Sequence, residues 1–260
     1  MALRIEKRTG ALLIGLALLT SAGFAQTDFR YEAWHAHSRP PHIRKAGGLG
    51  TLTINDAGVS FQEIYKDGKA PTHPHAWHWD YQDIQQLKIA PKSLTVLTYK
   101  DNKWKLGADR EYDFDLVSEK DFEQAYNVLK TRLDQRFVAV VPDNVARLLW
   151  EIPVKHLKRL SGDEGVLQVG ADEIVYRSGT KDQTRTWRYQ DIDNVSSSGP
   201  FQLTITTFER AKLDYGSRKA FNFELKQRLE DDRFNDLWLR LNQTKGLSML
   251  TRYREQAKFQ

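Results

Sequence analysis

The segment HWDYQDIQQLKIAPKSLTVLTY, starting at His78, returns later in the chain as TWRYQDIDNVSSSGPFQLTITTF, starting at Thr186. An internal repeat of this length restricts the fold more than any other feature, because each copy is one structural unit with a hydrophobic face to bury. The match extends in both directions. GTLTINDAGVSF from Gly50 aligns with GVLQVGADEIVY from Gly165, and Leu94, Val96 and Thr98 align with Leu203, Ile205 and Thr207. Tyr112, Phe114 and Leu116 align with Phe221, Phe223 and Leu225. The sequence from Trp150 echoes that from Trp34, which places the start of the second copy there.

Each copy reads as short strands followed by one helix. Leu52 and Ile54 alternate with polar residues, and Asn55-Asp56-Ala57-Gly58 then turns the chain into Val59-Ser60-Phe61, a hairpin signal. Trp79 and Tyr81 alternate with Asp80 and Gln82, so the period predicts a third strand with one aromatic face. Residues 94–99 and 110–116 continue the alternation. The period then changes, and Phe122, Ala125, Tyr126, Leu129 and Leu133 form a helical stripe. Ser118 and Asp121 stand before it as a capping box. In the second copy Phe234, Leu237, Trp238 and Leu241 form the stripe and Gly246 is the stop signal. The expected core residues are Trp79, Tyr81, Ile84 and Phe114 in the first copy, and Trp187, Tyr189, Ile192, Phe223 and Trp238 in the second.

Antiparallel strands capped by one C-terminal amphipathic helix resemble the pleckstrin-homology-like (PH-like) fold. The segments GVSF, WDYQDI, LTVLTY and YDFDL resemble bacterial PH-like and GRAM-like domains. In tandem behind an export signal they are similar to uncharacterised exported bacterial proteins. The resemblance implies a mainly β chain with α, built as two tandem PH-like domains. Each would be an antiparallel sheet or partly open barrel capped by its helix. It implies domains at 26–137 and 150–246, a linker at 138–149 and a tail at 247–260. Such barrels host unrelated activities, so the resemblance speaks for fold and names no ligand. Many phosphoinositide-binding PH domains carry basic residues around the first hairpin. Here the turns read Asn55-Asp56-Ala57-Gly58 and Gly170-Ala171-Asp172-Glu173, neutral to acidic, which would repel phosphates.

Residues 1–25 read as a signal peptide: Arg4, Lys7 and Arg8 precede the apolar run ALLIGLALLTSAGF, and Gly23 and Ala25 supply small residues for cleavage. The run is shorter than the roughly 20 apolar residues a spanning helix needs. No transmembrane segment is expected in the mature chain, which is assigned to the periplasm or the secreted fraction. The net charge of +5 is spread among alternating acids and bases, so no nucleic-acid surface is expected. The absence of cysteine excludes disulfides, thiol catalysis and cysteine-based zinc sites.

Six of the seven histidines fall between His35 and His78. His35 and His37, His73 and His75, and the neighbouring His78 are candidate ligands for zinc or copper, although no spacing fixes a ligand framework. Loop and surface histidines are the preferred reading, and no metal or other cofactor is expected. The acidic line Asp109, Glu111, Asp113 and Asp115 suits a solvated strand face better than a calcium loop. Trp77 stands where the second copy has Arg185, which marks its place as more open than that of Trp79. Neither G-x-S-x-G nor H-E-x-x-H occurs. The sequence thus predicts a non-enzymatic binding or scaffolding protein of the cell envelope, its partner a protein, peptide or lipid. A metal-binding protein or metal-dependent enzyme using the His35–His78 cluster is the first alternative, and a glycan-binding module using exposed aromatics the second.

Overall fold

A computed structural model of the protein describes residues 28–36, 47–65, 75–102, 108–117, 122–159, 161–180, 183–211, 217–243 and 245. The expected signal peptide, the tail at 247–260, Ser118, Asp121, Gly246, His37 and His73 lie outside these residues. The first half comprises β1 (Phe29–Ala36), β2 (Gly47–Ile54), β3 (Gly58–Glu63), β4 (Ala76–Asp80), β5 (Ile84–Ala90), β6 (Ser93–Asp101), β7 (Asp109–Leu116) and α1 (Glu123–Arg132). A short strand, β8 (Phe137–Ala139), follows. The second half comprises β9 (Leu148–Leu157), β10 (Gly162–Gly170), β11 (Glu173–Ser178), β12 (Arg185–Arg188), β13 (Ile192–Gly199), β14 (Gln202–Arg210), β15 (Arg218–Leu225) and α2 (Asp231–Gln243).

The fold is mainly β, and the fifteen strands among the described residues join one sheet in the order β13-β14-β15-β9-β10-β11-β12-β8-β5-β6-β7-β1-β2-β3-β4. Its end strands, β13 and β4, do not pair with each other, so the sheet is open and not closed into a barrel. The order β5-β6-β7-β1-β2-β3-β4 recurs as β13-β14-β15-β9-β10-β11-β12. Each half surrounds a hydrophobic cluster of its own. The first gathers Trp79, Ile84 and Phe114 with Phe122, Tyr126 and Leu129 of the α1 stripe. The second gathers Trp187, Tyr189, Ile192 and Phe223 with Leu237 and Leu241 of α2. The repeated sequence therefore fills two equivalent cores.

The halves are joined by β8, which the sequence reading assigns largely to a linker. It runs parallel to β5, with Phe137, Val138 and Ala139 opposite Leu87, Lys88 and Ile89, and meets β12 antiparallel at Ala139 and Thr186. Phe137 and Ala139 enter the first core, while Val138 and Val140 bury against Ala90 on the other face. An extended segment with apolar side chains on both faces satisfies two sheet edges at once. That is why one continuous sheet forms in place of two separate ones.

Three expectations are corrected. Tyr81 and Tyr189 do not prolong the third strand but lie in 3-10 turns, Tyr81–Asp83 and Tyr189–Asp191. Their hydroxyls donate to the carbonyls of Asn55 and Gly170 in the adjoining hairpins, each at 2.6 Å. That bond pulls the ring across the hairpin and ends the strand. Trp238 is 40% exposed and outside the second core, since Leu237 and Leu241 carry the buried edge of α2. The first strands also align differently from the Trp34–Trp150 match. Phe29 pairs with Ile54 as Trp150 pairs with Val169, so Trp150 corresponds to Phe29.

Candidate functional site

With the register corrected, His35 opposite Phe114 corresponds to His156 opposite Phe223. Each half thus carries a buried histidine at one end of its core, where chemistry is concentrated.

In the first half, period two puts His75, Trp77 and Trp79 on one face, Ala76 and His78 on the other. Trp79 is 3% exposed and packs on Tyr112 with centroids 4.7 Å apart. Trp77 is half-buried, edge-on to the His35 ring at 4.6 Å and stacked on His75 at 4.9 Å. Glu63 Oε2 accepts a 2.9 Å hydrogen bond from the His75 backbone N–H and lies 3.1 Å from its Nδ1. His35 Nδ1 is 3.1 Å from the Asp113 carbonyl oxygen. The candidate histidines therefore separate. His35 and His75 come together with centroids 5.8 Å apart, whereas His78 faces outward and pairs with Asp80 at 3.0 Å. Among the described residues no group of three or more His, Cys, Asp or Glu side chains is placed to hold a metal ion. Asp113 and Asp115 are exposed as a solvated strand face would be, while Asp109 pairs with Arg210 across the two halves at 3.1 Å.

In the second half Arg185 holds the place of Trp77, opposite Tyr176 where Trp77 is opposite Phe61. Arg185 is 7% exposed, whereas Trp77 in the matching place is half-buried. Its guanidinium carbon lies 5.7 Å from the Phe221 ring centroid, and it donates to the Thr184 carbonyl at 2.9 Å. A carboxylate also changes strand. Glu63 of β3 corresponds to Ser178, and Gly48 of β2 corresponds to Asp163. A Cβ on Gly48 would lie 2.2 Å from Glu63 Oε1, so a side chain there would have to displace the Glu63 carboxylate. Asp163 accepts hydrogen bonds from Tyr176 at 2.6 Å and Ser178 at 2.7 Å, and lies 3.4 Å from His156 Nδ1. Burial pushes Asp163 up, but hydrogen bonds from Lys158, Tyr176 and Ser178 outweigh it and hold the carboxyl below its ordinary value. Burial pulls His156 down despite Asp163, and pulls Lys219 down despite its 2.7 Å pair with Glu209. This end is a closed polar network. Its first-half counterpart is more open, because Trp77 and His75 are half-buried.

The sequence reading missed Glu63, His156 and Asp163. The signal was present, since His156 is the single histidine outside the 35–78 cluster, but the Trp34–Trp150 match concealed its equivalence to His35.

Backbone geometry adds a second feature. Glu63 N–H donates to the His75 carbonyl at 2.9 Å, and bonded pairs alternate along an antiparallel ladder. The bonded set continues through Trp77 and Trp79, so the N–H and C=O groups of Ala76 and His78 point away from β3. Among the described residues no strand pairs with this outer edge. A cavity of about 750 Å³ lies at the junction of the halves, lined in part by Lys130, Arg188, Arg218 and Lys245. Its cations are partnered: Lys130 with Asp143 and Glu173, Arg188 with Asp191, Arg218 with Asp193. Among the described residues no helix is long and apolar enough to cross a membrane.

No family model matches the chain, and no curated protein matches it. Among solved structures it is similar to the C-terminal domain of an unknown protein from Leishmania infantum, at 14% identity and a TM-score of 0.28, over 36% of this chain and 83% of that one. It is also similar to the Spt16D Pob3N heterodimer, at 11% identity and a TM-score of 0.28, over 70% of this chain and 83% of that chain. Likeness at this level carries no argument about fold or function.

Proposed function

We propose that the chain is a non-enzymatic binding or scaffolding protein of the cell envelope, built on two tandem PH-like domains. Its ligand is an extended protein segment that adds as a strand to the outer edge of β4. The repeated order of seven strands, each set followed by a helix, supports the tandem PH-like reading. The export assignment rests on residues 1–25.

The carrying observation is internal. In the second half the counterpart of β4 is β12, and its outer edge is taken by the extended segment β8. Among the described residues the same edge of the same unit is thus filled once, at the junction, and left unfilled once, at β4. Strand addition draws affinity from main-chain hydrogen bonds and selectivity from side-chain pockets. Here Trp77, His75 and Glu63 stand at the adjoining mouth of the core. A peptide suits the site better than a lipid, because the neighbouring turn is acidic at Asp56 and the ring of Trp77 is packed against His35 and His75.

The test is selection from a phage-displayed library of unstructured peptides. Selected peptides should slow hydrogen exchange at the Ala76 and His78 amides. His78→Pro removes an outward N–H without touching the bond set to β3 and should abolish binding, whereas His78→Ala should retain it. Peptides that bind His78→Pro undiminished, or a library that yields no binder, would refute the β4 reading.

A further inference from the structure

The mouths of the two cores hold a carboxylate in the same place and partner it differently. The Glu63 carboxylate lies over Gly48, its Oε1 and Cδ 2.2 and 2.6 Å from where a Cβ would stand. It therefore fills the space that Asp163, the counterpart of Gly48, fills from β10. Asp163 is surrounded by donors of its own chain, the Tyr176 and Ser178 hydroxyls at 2.6 and 2.7 Å and the Lys158 ammonium. Glu63 has neither hydroxyl. Phe61 stands where Tyr176 stands, and Glu63 itself takes the position of Ser178. By the same register the position of Lys158 is that of His37, which lies outside the described residues.

Among the described residues the Glu63 carboxylate is hydrogen-bonded and ion-paired through Oε2 alone, to the His75 N–H at 2.9 Å and near His75 Nδ1 at 3.1 Å. Oε1 has no such partner among them. The side chain is 12% exposed, and a carboxylate so far from water calls for a cation. The way in is the outer edge of β4. A strand added there, as β8 is added to β12, turns alternate side chains to the face that carries His75 and Trp77. Trp77 is half-buried on that path and stacks on His75 at 4.9 Å. A carboxylate beside an aromatic ring suits the charged head and apolar stem of lysine or arginine. Arg110 is turned to the Tyr112 ring at 4.9 Å, and among the described residues it forms no ion pair with Glu63.

We propose that the segment added to β4 carries a lysine or arginine on its core-facing side, its head bound to Glu63 Oε1 and its stem against Trp77. The ligand then supplies at the first mouth the cation that Lys158 supplies at the second. The inference rests on the β4 reading and names the class of segment that the edge selects.

Two phage-displayed libraries of short unstructured segments, one of them lacking lysine and arginine, test it on the full chain. Segments from the complete library should share a lysine or arginine, and the depleted library should yield binders weaker by about tenfold or more. Glu63→Gln keeps an acceptor for the His75 N–H and removes the charge, so it should weaken the lysine or arginine segments by about tenfold or more. Norleucine in place of the lysine, or citrulline in place of the arginine, should weaken binding to the unaltered protein equally. The same replacements should cost little more once Glu63 is Gln. The replacements in the segment decide the matter even where Glu63→Gln lowers stability. Segments that His78→Pro blocks, but whose affinity depends neither on their own cation nor on Glu63, would overturn the proposal and leave the β4 reading standing. Segments indifferent to His78→Pro, or libraries that yield no binder, would remove both.

Discussion

The Arg188 guanidinium on β12 donates a 3.0 Å hydrogen bond to the carbonyl of Leu133, the residue that closes α1 in the other half. The same group reaches the Lys130 carbonyl at 2.5 Å and the Asp134 carbonyl at 2.7 Å, and pairs with Asp191 through Nε at 2.8 Å and Nη2 at 2.6 Å. A cation at a helix C-terminus satisfies unpaired carbonyls and opposes the negative end of the dipole. Here the helix and its cap come from different copies of the repeat.

Removing Arg188 leaves Asp191 buried without its counterion. Burial already pushes that carboxyl above its ordinary value even with Arg188 in place. Arg188→Ala is expected to cost about 3–5 kcal/mol, the usual penalty for stranding one partner of a buried pair. Arg188→Lys should recover only part, since an ammonium cannot serve the carboxylate and the helix carbonyls in one plane. Urea melts that follow each half separately would check this, and a variant that destabilises only the second half would sink the shared-cap account.

Trp79 and Trp187 are 3% and 4% exposed, and Trp238 is 40% exposed. Trp79→Ala and Trp187→Ala are each expected to cost about 3–5 kcal/mol, from lost transfer energy and the cavity left behind. Trp238→Ala should stay within about 0.5 kcal/mol of the unaltered protein, as exposed substitutions do. Leu237→Ala, one residue away and fully buried, should cost about 2–5 kcal/mol. Chemical denaturation of the four variants decides between the observed helix face and the face expected from the sequence.

The sequence reveals most where a side chain answers to its near neighbours. The alternation at Tyr112, Phe114 and Leu116 and the stripe at Ala125, Tyr126 and Leu129 are local patterns, and the elements follow them. It says least where the deciding partner is remote. Phe137-Val138-Ala139 has apolar residues suited to a strand, but its role depends on the edges of β5 and β12, which other segments create. Tyr81 has strand-like alternation, but its hydroxyl bond to the Asn55 carbonyl wins over that local preference. Trp238 borders the helical stripe, and its size suggested burial that Leu237 and Leu241 already provide. The carboxylate–histidine pairing at the core ends was hidden for a different reason. Its acid sits on β3 in one half and on β10 in the other, so residue-by-residue comparison shows Gly48 against Asp163 and Glu63 against Ser178.

Protein purified without a histidine tag is expected to show no saturable rise in melting temperature with zinc or copper, because only a ligand that binds the native state raises stability. His35 and His75 are the two candidate ligands brought together, with His35 Nδ1 3.1 Å from the Asp113 carbonyl oxygen. A saturable rise that His35→Ala and His75→Ala each abolish would restore the metal-binding reading.

The last prediction concerns acid. His156 is held below its ordinary value of 6.5 by burial, opposed by Asp163 and reinforced by Lys158 and Arg185. The rings of Tyr176, Phe221 and Phe223 surround it at 5.7, 5.6 and 5.2 Å, leaving little room to hydrate an imidazolium. As pH falls below 6.5 the unfolded chain takes up a proton that the folded chain refuses, so stability is lost on acidification. Above 6.5 this contribution is fully present. Asp163 has the same sign at lower pH: its folded carboxyl lies below 3.8, so its contribution is present above 3.8 and lost as pH falls further. Melting temperature should therefore drop between neutral pH and mild acid, before Asp163 titrates. His156→Gln should flatten that drop while His78→Gln should not, since the His78 side chain is 59% exposed beside Asp80. Parallel pH–melting curves for the three proteins give the comparison, and an undiminished acid drop in His156→Gln would show that the buried imidazole is not its cause.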